Sequence, residues 1–258
     1  MYLLYPDLRV IRDYASTGPA NSKLADMLSA ETDGKLNMWI DFSVGNNILD
    51  YNQVAANVGD TVSRVIGREP DGMLQFYPNQ TNAIVLTTMG SARGITGSPT
   101  VSWEALADSP SSNNPYDLLS GSHIFMLRSP PNAGLEVIWQ SASLHLFWYS
   151  GTVQYKNAAG AYVDTGLVVL NSTDYIIRCD YTPTSSDWTL IKLSDNTELT
   201  ASSQVALQSP TQNRGKAIST AQSHLNGIFS DYANCEPAVS ETVVSYFKEF
   251  YNGGPPDE

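Results

Sequence analysis

The sequence is poor in charged residues, and the few that it has are mostly acidic. Only 16% of its 258 residues are charged, and 26 Asp and Glu against 14 Lys and Arg give a formal net charge of −12. Binding to nucleic acid rests on clustered Lys and Arg that neutralise phosphates, so we expect no nucleic-acid partner. The sequence also has no run of 18 apolar residues, so we expect no membrane insertion.

Cysteine and histidine are scarce as well, which argues against several kinds of site. Cys179 and Cys235 are the two cysteines, and their spacing indicates neither a metal cluster nor a disulfide. The apolar run around Cys179 predicts that it is a small buried residue. The three histidines, His123, His145 and His224, are far apart in the sequence and form no recognisable catalytic group.

The first 35 residues differ from the remainder of the chain. Residues 1–7 (MYLLYPD) have no basic region, no long apolar stretch and no small-residue cleavage site, so we expect no secretion signal and synthesis in a cytoplasm. A helix is predicted next, with Asn21 or Ser22 as its N-cap and Gly34 at its end. This segment either packs on its own domain or forms an arm that docks on a neighbouring subunit.

From Leu36 onwards the sequence favours β-strands. Short segments of alternating apolar and polar residues are bounded by Gly, Pro, Asn and Asp, which is typical of a sandwich. Residues 124–155 predict an antiparallel meander. Residues 173–207 predict three more strands, with Asp195-Asn196-Thr197 as a hairpin turn. Residues 88–122 form a long polar stretch, for which we predict a loop with a short helix at 102–106.

Three segments resemble strands of the laminin-G-like branch of the concanavalin A-like lectin/glucanase superfamily. They are 36–43 (LNMWIDFS), 71–77 (DGMLQFY) and a closing strand at 243–252 (VVSYFKEFYN). The resemblance implies an all-β fold, a two-sheet antiparallel jelly-roll sandwich over residues 36–252. The segment 1–35 is then an N-terminal arm with a helix, and 253–258 is a C-terminal tail.

The same resemblance implies a biological setting. Laminin-G-like domains without secretion signals occur in phage and viral virion proteins, where they decorate capsids, build tails or fibres, or contact host glycans. The implied location is the virion, after assembly in the host cytoplasm. The implied partners are other virion subunits, in a homo-oligomer or a capsid or tail structure, together with a host glycan.

Enzymes of this superfamily carry side-chain sets that the sequence lacks. Its glycanases use carboxylates spaced Glu-x-Asp-x-Glu or Glu-x-Asp-x-x-Glu on one strand, where alternation places them on one face. No such spacing is present. Its alginate lyases use an Arg-rich strand, a Gln-Ile-His segment and a final Tyr-Phe-Lys strand, of which only 246–248 (YFK) matches. We therefore expect no catalytic residues.

Aromatic residues are the strongest candidates for ligand binding, because sugars stack their apolar ring faces on exposed aromatic side chains. Trp103, in the long polar stretch, is the one most expected to be exposed. The other candidates lie in the meander, where core packing is the competing interpretation: they are Trp139, His145, Trp148, Tyr149 and Tyr155. Tyr162 clusters with these aromatic residues.

Calcium is the one ion for which the sequence offers candidates. Laminin-G-like domains often bind calcium through loop oxygens, and this cation takes six to eight oxygen ligands. Asp41, Asn46, Asp50 and Asp60 are the candidate ligands, although turns in which Asp and Asn bind their own backbone are the simpler interpretation. No other cofactor is expected.

The function predicted from the sequence is a non-enzymatic virion structural or attachment protein that binds a glycan. The alternative is a polysaccharide lyase or glycoside hydrolase of the same superfamily.

Overall fold

Short segments of apolar and polar residues form β-strands along most of the part of the chain that the structure describes. The computed structural model describes residues 27, 29–31, 33–42, 47–69, 72–78, 84–96, 103–105, 120–132, 134–141, 144–157, 159–203, 205–207, 217–218 and 226–253. Its strands are β1 (Leu36–Ile40), β2 (Ile48–Asp50), β3 (Val62–Glu69), β4 (Gly72–Pro78), β5 (Leu86–Met89), β6 (Ala92–Thr96), β7 (Trp103–Ala105), β8 (Gly121–Arg128), β9 (Glu136–Gln140), β10 (His145–Tyr149), β11 (Thr152–Lys156), β12 (Tyr162–Val168), β13 (Asp174–Tyr181), β14 (Ser186–Lys192), β15 (Thr197–Ser203), β16 (Ala217–Ile218) and β17 (Ile228–Cys235). A 3₁₀ turn at Pro237–Val239 leads into helix α1 (Ser240–Gly253).

The strands pair into two antiparallel sheets. Sheet 1 has the order β15-β14-β13-β8-β17, and the far edge of β17 pairs with both β1 and β6, which is followed by β5. Sheet 2 has the order β2-β3-β4-β7-β16-β9-β10-β11-β12. A short pairing of β1 with β3 joins the two sheets. The chain is therefore an all-β, two-sheet antiparallel jelly-roll sandwich, as the sequence predicted.

Aromatic side chains fill the space between the two sheets. Trp139 of sheet 2 stacks on Tyr232 of sheet 1 with ring centroids 4.1 Å apart, and it also contacts Phe125 of sheet 1 at 6.0 Å. Near the edge of the sandwich, Tyr155 of β11 stacks on Trp188 of β14 at 5.1 Å. All of these rings are buried, and large buried aromatic side chains contribute strongly to a core of this kind.

Helix α1 covers the outer face of sheet 1, against β8, β6 and β17. Val243, Phe247 and Phe250 recur at helical spacing and are buried. Arg178 on β13 forms an ion pair with Glu241 in the first turn of the helix. The expected closing strand at 243–252 is therefore wrong: the apolar residues lie on one side of a helix, although their β-branched and aromatic character suggested a strand.

The N-terminal helix ends where the sequence predicted. Gly34 has a φ of +71°, and its N–H donates to the carbonyl of Glu31 while the N–H of Lys35 donates to that of Ala30. This pair of hydrogen bonds is the Schellman helix ending, in which glycine accommodates the left-handed conformation. Met27 and Ala30 are buried in the common core, so the described end of this segment packs on its own sandwich. The cap candidates Asn21 and Ser22 lie outside the described residues.

Two other local predictions need correction. The short helix expected at 102–106 is strand β7, which pairs with β4 and β16 in the middle of sheet 2. The meander expected over 124–155 is also only partly right. Strands β9, β10 and β11 do form it, but β8 lies in sheet 1 between β13 and β17. The hairpins β13–β14 and β14–β15 match the prediction, with Asn196 at a φ of +56° in the second turn.

Candidate functional site

The outer face of sheet 2 carries a group of aromatic side chains at strands β10–β12. Alternate residues of a strand point to the same face, so His145, Phe147 and Tyr149 of β10 share this side of the sheet. Lys156 of β11 and Tyr162 of β12 are cross-strand partners and lie beside them. We call these five residues the aromatic face.

Close contacts hold the aromatic face together. The rings of His145 and Phe147 are 4.3 Å apart, and those of Phe147 and Tyr162 are 5.1 Å apart. The Lys156 ammonium lies 5.0 Å from the centroid of Tyr162 and 5.5 Å from that of Phe147. A cation over an aromatic ring contributes about 0.5–1 kcal/mol at an exposed site. The Tyr162 ring is thus supported from one side by a buried phenylalanine and by a lysine.

Two tyrosines of the aromatic face remain open to solvent. The exposed fractions are 44% for Tyr149 and 52% for Tyr162, whereas Phe147 is buried. Tyr149 lies four residues beyond His145 along β10, a separation of about 14 Å at the rise of a strand. Tyr162 pairs with Lys156 at the other end of β11, so the two exposed rings stand at opposite ends of the same face.

Gln154 lies between these tyrosines, in the middle of the face. Its side-chain amide donates to Asp164 Oδ2 at 3.3 Å and to Thr152 Oγ at 3.2 Å, which orients the group. Gln154 pairs with Phe147 on one side and with Asp164 on the other. Aromatic surfaces beside oriented amide and carboxylate groups can bind a sugar, because the rings take its apolar face and the polar groups take its hydroxyls.

The sequence pointed to three of these residues and missed two. His145 and Tyr149 were ligand-binding candidates, Tyr162 was one of the aromatic residues clustered with them, and Phe147 and Lys156 were not selected. Period-two alternation from His145 would have found Phe147. Tyr162 and Lys156 are joined to them only by the pairing of β11 with β12, for which the sequence offers no direct signal.

The other aromatic candidates lie elsewhere. Trp139, Trp148 and Tyr155 are buried on the inner side of sheet 2, and Tyr155 donates its hydroxyl hydrogen bond to Ser203 Oγ at 2.9 Å. They pack in the core, and Trp148 also borders a small cavity. Trp103 was expected in an exposed loop, but it lies in β7, where its register partners are Pro78 and Ile218.

The three calcium candidates that lie in the described residues, Asp41, Asp50 and Asp60, do not come together as a group. Asp50 accepts the backbone N–H groups of Asn52 at 2.7 Å and Val54 at 3.1 Å, and Asp60 accepts that of Asn57 at 2.8 Å, so both hold their own turns. Asn46 lies outside the described residues. Within the described part of the chain, no group of three or more His, Cys, Asp and Glu side chains could hold a metal ion.

Asp41, the remaining calcium candidate, belongs to a buried acidic pair. Its carboxylate oxygens each lie 3.4 Å from the hydroxyl of Tyr246 on α1. Asp231 accepts the N–H of Phe42 at 2.9 Å and the hydroxyl of Ser230 at 2.7 Å. Burial, followed by the charge of Asp41, raises the pKa of Asp231 well above its usual range. This pair lies at the junction of sheet 1 and the helix.

A second polar group lies further along the outer face of sheet 2. Arg64 on β3 and Tyr77 on β4 both donate to the side-chain oxygen of Gln75, at 3.0 and 2.7 Å. Strands β7, β16 and β9 separate β4 from β10, which amounts to about 19 Å between Tyr77 and His145 across the sheet. These described Arg, Gln, Tyr and His side chains therefore do not meet at hydrogen-bond range.

Comparisons with known proteins yield distant structural likenesses. No protein-family model matches the chain, and no curated protein matches its sequence. Domain 4 of a GH43 extracellular arabinanase from Geobacillus stearothermophilus, in complex with arabinotriose, is 9% identical, with 78% of this chain and 92% of that chain covered and a TM-score of 0.49. The enzymatically active domain of tailspike protein 2 from bacteriophage CBA120 is 12% identical, with coverages of 81% and 34% and a TM-score of 0.41.

A third solved structure is also similar at low sequence identity. An alginate lyase from Klebsiella pneumoniae is 8% identical, with 68% of this chain and 85% of that chain covered and a TM-score of 0.33. These likenesses concern β-sandwich architecture and extend to nothing finer. Separately, no helix in the described residues is both long and apolar enough to cross a membrane.

Proposed function

We propose that this chain binds neutral glycans through the aromatic face of sheet 2 and does so without catalysis. The observation that carries the proposal is the pair of exposed rings, Tyr149 and Tyr162, fixed on paired strands on either side of the oriented amide of Gln154. A site built on strands presents its aromatic rings in a fixed geometry, so that little conformational freedom is lost on binding. The net charge of −12 disfavours polyanionic ligands, which is why the proposal names neutral sugars.

Titration with a panel of neutral oligosaccharides tests this proposal. Isothermal calorimetry with arabinan, glucan and galactan oligomers should identify at least one that binds. Tyr149→Ala and Tyr162→Ala should each weaken that binding about tenfold, equivalent to about 1.4 kcal/mol. Tyr51→Ala is the matched control, because Tyr51 is also a solvent-exposed tyrosine but lies outside the aromatic face.

Two results would contradict the proposal. One is the absence of binding to every oligomer of the panel. The other is an equal loss of affinity in the Tyr51 control, which would place binding elsewhere on the surface.

We further propose that the chain works as a structural or attachment component of a virion, assembled with copies of itself or with other virion subunits. The support is the resemblance of 36–43 and 71–77 to laminin-G-like strands. Light scattering after size-exclusion chromatography, followed by co-sedimentation with purified particles, tests it. A chain that remains monomeric and does not associate with particles would refute the virion role while leaving glycan binding intact.

One observation favours the alternative of a polysaccharide-cleaving enzyme. His145 and Gln140 are cross-strand partners on adjacent strands of the sheet that bears the aromatic face. A histidine next to a polar partner can act as a general base. An activity screen on alginate and laminarin decides between the two functions. Product that forms with the wild-type chain and disappears in His145→Ala would replace the non-catalytic proposal.

A further inference from the structure

Strand β15 is an open edge of sheet 1. Its residues, Thr197–Ser203, pair with β14 on one side in unbroken register, and no described strand is hydrogen-bonded to the other side. The first four residues of the strand are exposed, among them Leu199 at 46%. An edge of this kind presents a row of unpaired N–H and C=O groups, which is a template for pairing with another strand.

The backbone groups that point outwards from β15 can be identified from the neighbouring strands. The N–H of Leu193 donates to the carbonyl of Asp174 at 2.9 Å, which fixes the residues of β14 that bond to β13. Backbone groups alternate sides along an antiparallel strand, so the odd-numbered residues of β15 bond to β14. Glu198, Thr200 and Ser202 therefore point their N–H and C=O groups away from the sheet. Within the described part of the chain, nothing bonds to these groups.

The two edges of sheet 2 have protection that β15 lacks. At one edge, β2 is only three residues long, and at the other, β12 pairs with an irregular register and has Gly166 at a φ of +76°. Short strands and bulges discourage pairing with a second chain. Strand β15 has no bulge, Pro, Gly or Lys, and its one charged side chain, Glu198, is bonded to Lys248 of α1. Its edge is therefore suited to pairing.

The sequence of β15 is complementary to itself in the antiparallel direction. A two-fold axis at Thr200 places this residue opposite its own copy, Glu198 opposite the partner subunit's Ser202, and Leu199 opposite the partner subunit's Ala201. All the outward-pointing residues then fall into pairs that exchange both backbone hydrogen bonds. No like charges face each other, although the chain carries a net charge of −12. A two-fold interface requires such a self-complementary surface.

We propose that two copies of this chain pair through β15, so that their two copies of sheet 1 form one continuous antiparallel sheet. A single pair of strand edges buries less surface than a standard interface, so we expect a dissociation constant of about 1–100 μM. The aromatic face belongs to sheet 2 and shares no residue with β15, so the dimer carries two such faces. This inference rests on the proposed function, since it names the surface through which copies of the chain assemble.

Sedimentation equilibrium of the full chain and three variants tests the inference. Thr200→Pro removes the outward N–H of each copy at a position where an edge strand tolerates proline. The loss of two hydrogen bonds should raise the dissociation constant about tenfold to hundredfold. Thr200→Lys should also raise it, because two ammonium groups would face each other across the axis. Thr184→Lys adds the same charge in the exposed turn between β13 and β14 and should leave the constant unchanged.

A cross-link covers the case in which the Thr200 variants above fail to fold. Opposed residues of a hydrogen-bonded pair have Cα atoms about 5.5 Å apart, which a disulfide can span. The native thiols of Cys179 and Cys235 are buried and should not compete. Thr200→Cys should therefore form a covalent dimer under mild oxidation, whereas Thr184→Cys should remain monomeric.

The outcomes separate this inference from the proposed function. A wild-type chain that is monomeric even at about 1 mM would refute pairing through β15, while co-sedimentation with particles would still support the virion role. A dimer that the Thr200 variants leave as stable as the Thr184 control would also refute the inference, because the copies would then meet elsewhere. Neither result bears on glycan binding, which the Tyr149 and Tyr162 variants test.

Discussion

Glu136 on β9 is a buried carboxyl group whose ionisation should weaken the fold. The residue is only 7% exposed, and burial raises its pKa to about 7, although a hydrogen bond from the N–H of Asn226 at 2.7 Å acts to lower it. A glutamate in the unfolded chain has a pKa near 4.5. The native chain therefore holds more protons than the unfolded chain between these two values. The contribution of Glu136 to stability is therefore largest below about pH 4.5, falls as the pH rises, and levels off above about pH 7.

The size of the effect follows from the two pKa values. Their separation corresponds to about 3 kcal/mol of stability lost by pH 8, as an upper estimate. Glutamine has the shape of a neutral glutamic acid, and its side-chain oxygen can still accept the hydrogen bond from Asn226. Glu136→Gln should therefore remove the part of the stability loss at high pH that the ionisation of Glu136 causes. For a domain of this size, about 3 kcal/mol raises the melting temperature by roughly 6–12 °C.

Thermal and urea unfolding at pH 4.5, 6 and 8 measure this effect. Glu136→Gln should match the wild-type chain at pH 4.5 and exceed its stability progressively at pH 6 and 8. Glu249→Gln is the control, because Glu249 lies on the exposed side of α1 and loses the same formal charge. A variant no more stable than wild type at pH 8, or one with the same gain at pH 4.5, would refute the reasoning.

Two more predictions concern packing and thiol reactivity. Gly227→Ala should destabilise the fold by about 1–3 kcal/mol, because its new Cβ would lie 2.0 Å from a backbone oxygen of β8. Urea unfolding measures this loss, with Gly134→Ala as control, since nothing lies within 4 Å of that site. Cys179 and Cys235 are both buried, and burial raises the thiol pKa well above its usual range at Cys179 and to about 12 at Cys235. A thiol-specific reagent at pH 8 should therefore modify neither residue in the native chain and both after denaturation.

Each of these predictions has a clear contrary result. If Gly227→Ala unfolds at the same urea concentration as the Gly134 control, the loop before β17 does not approach β8 as closely as the structure places it. Rapid modification of either cysteine under native conditions would mean that sheet 1 opens readily, because both thiols are fully enclosed in that sheet.

Local alternation and turn residues predicted much of the strand layout. The hairpin turn at Asp195-Asn196-Thr197 was recognisable because Asn tolerates a positive φ, and its flanking strands pair in simple register. The segment 243–252 was wrongly predicted to be a strand, because its β-branched and aromatic residues suit a strand. Its apolar residues also recur at helical spacing, and the outer face of sheet 1 was available to cover them.

The candidate site was harder to predict, because the sequence does not show which face of a strand is exposed. Alternation assigns His145 and Tyr149 to one face of β10 and Trp148 to the other, but it does not say which face is buried. Sheet 1 decides that question, because its β17 supplies Tyr232 against Trp139 from more than 90 positions away in the sequence. The exposed aromatic rings are those that the sandwich leaves outside.

The amino-acid sequence by itself determined the all-β class, the positions of most turns and the division of each strand into two sides, because these follow from the preferences of adjacent residues. Only the tertiary structure decided which side faces water. It also decided that β8 joins β13 and β17, that the last apolar segment is a helix, and that Lys156 meets Tyr162. Each of these features depends on surfaces that distant parts of the chain contribute. The residues adjacent in sequence therefore do not predict them.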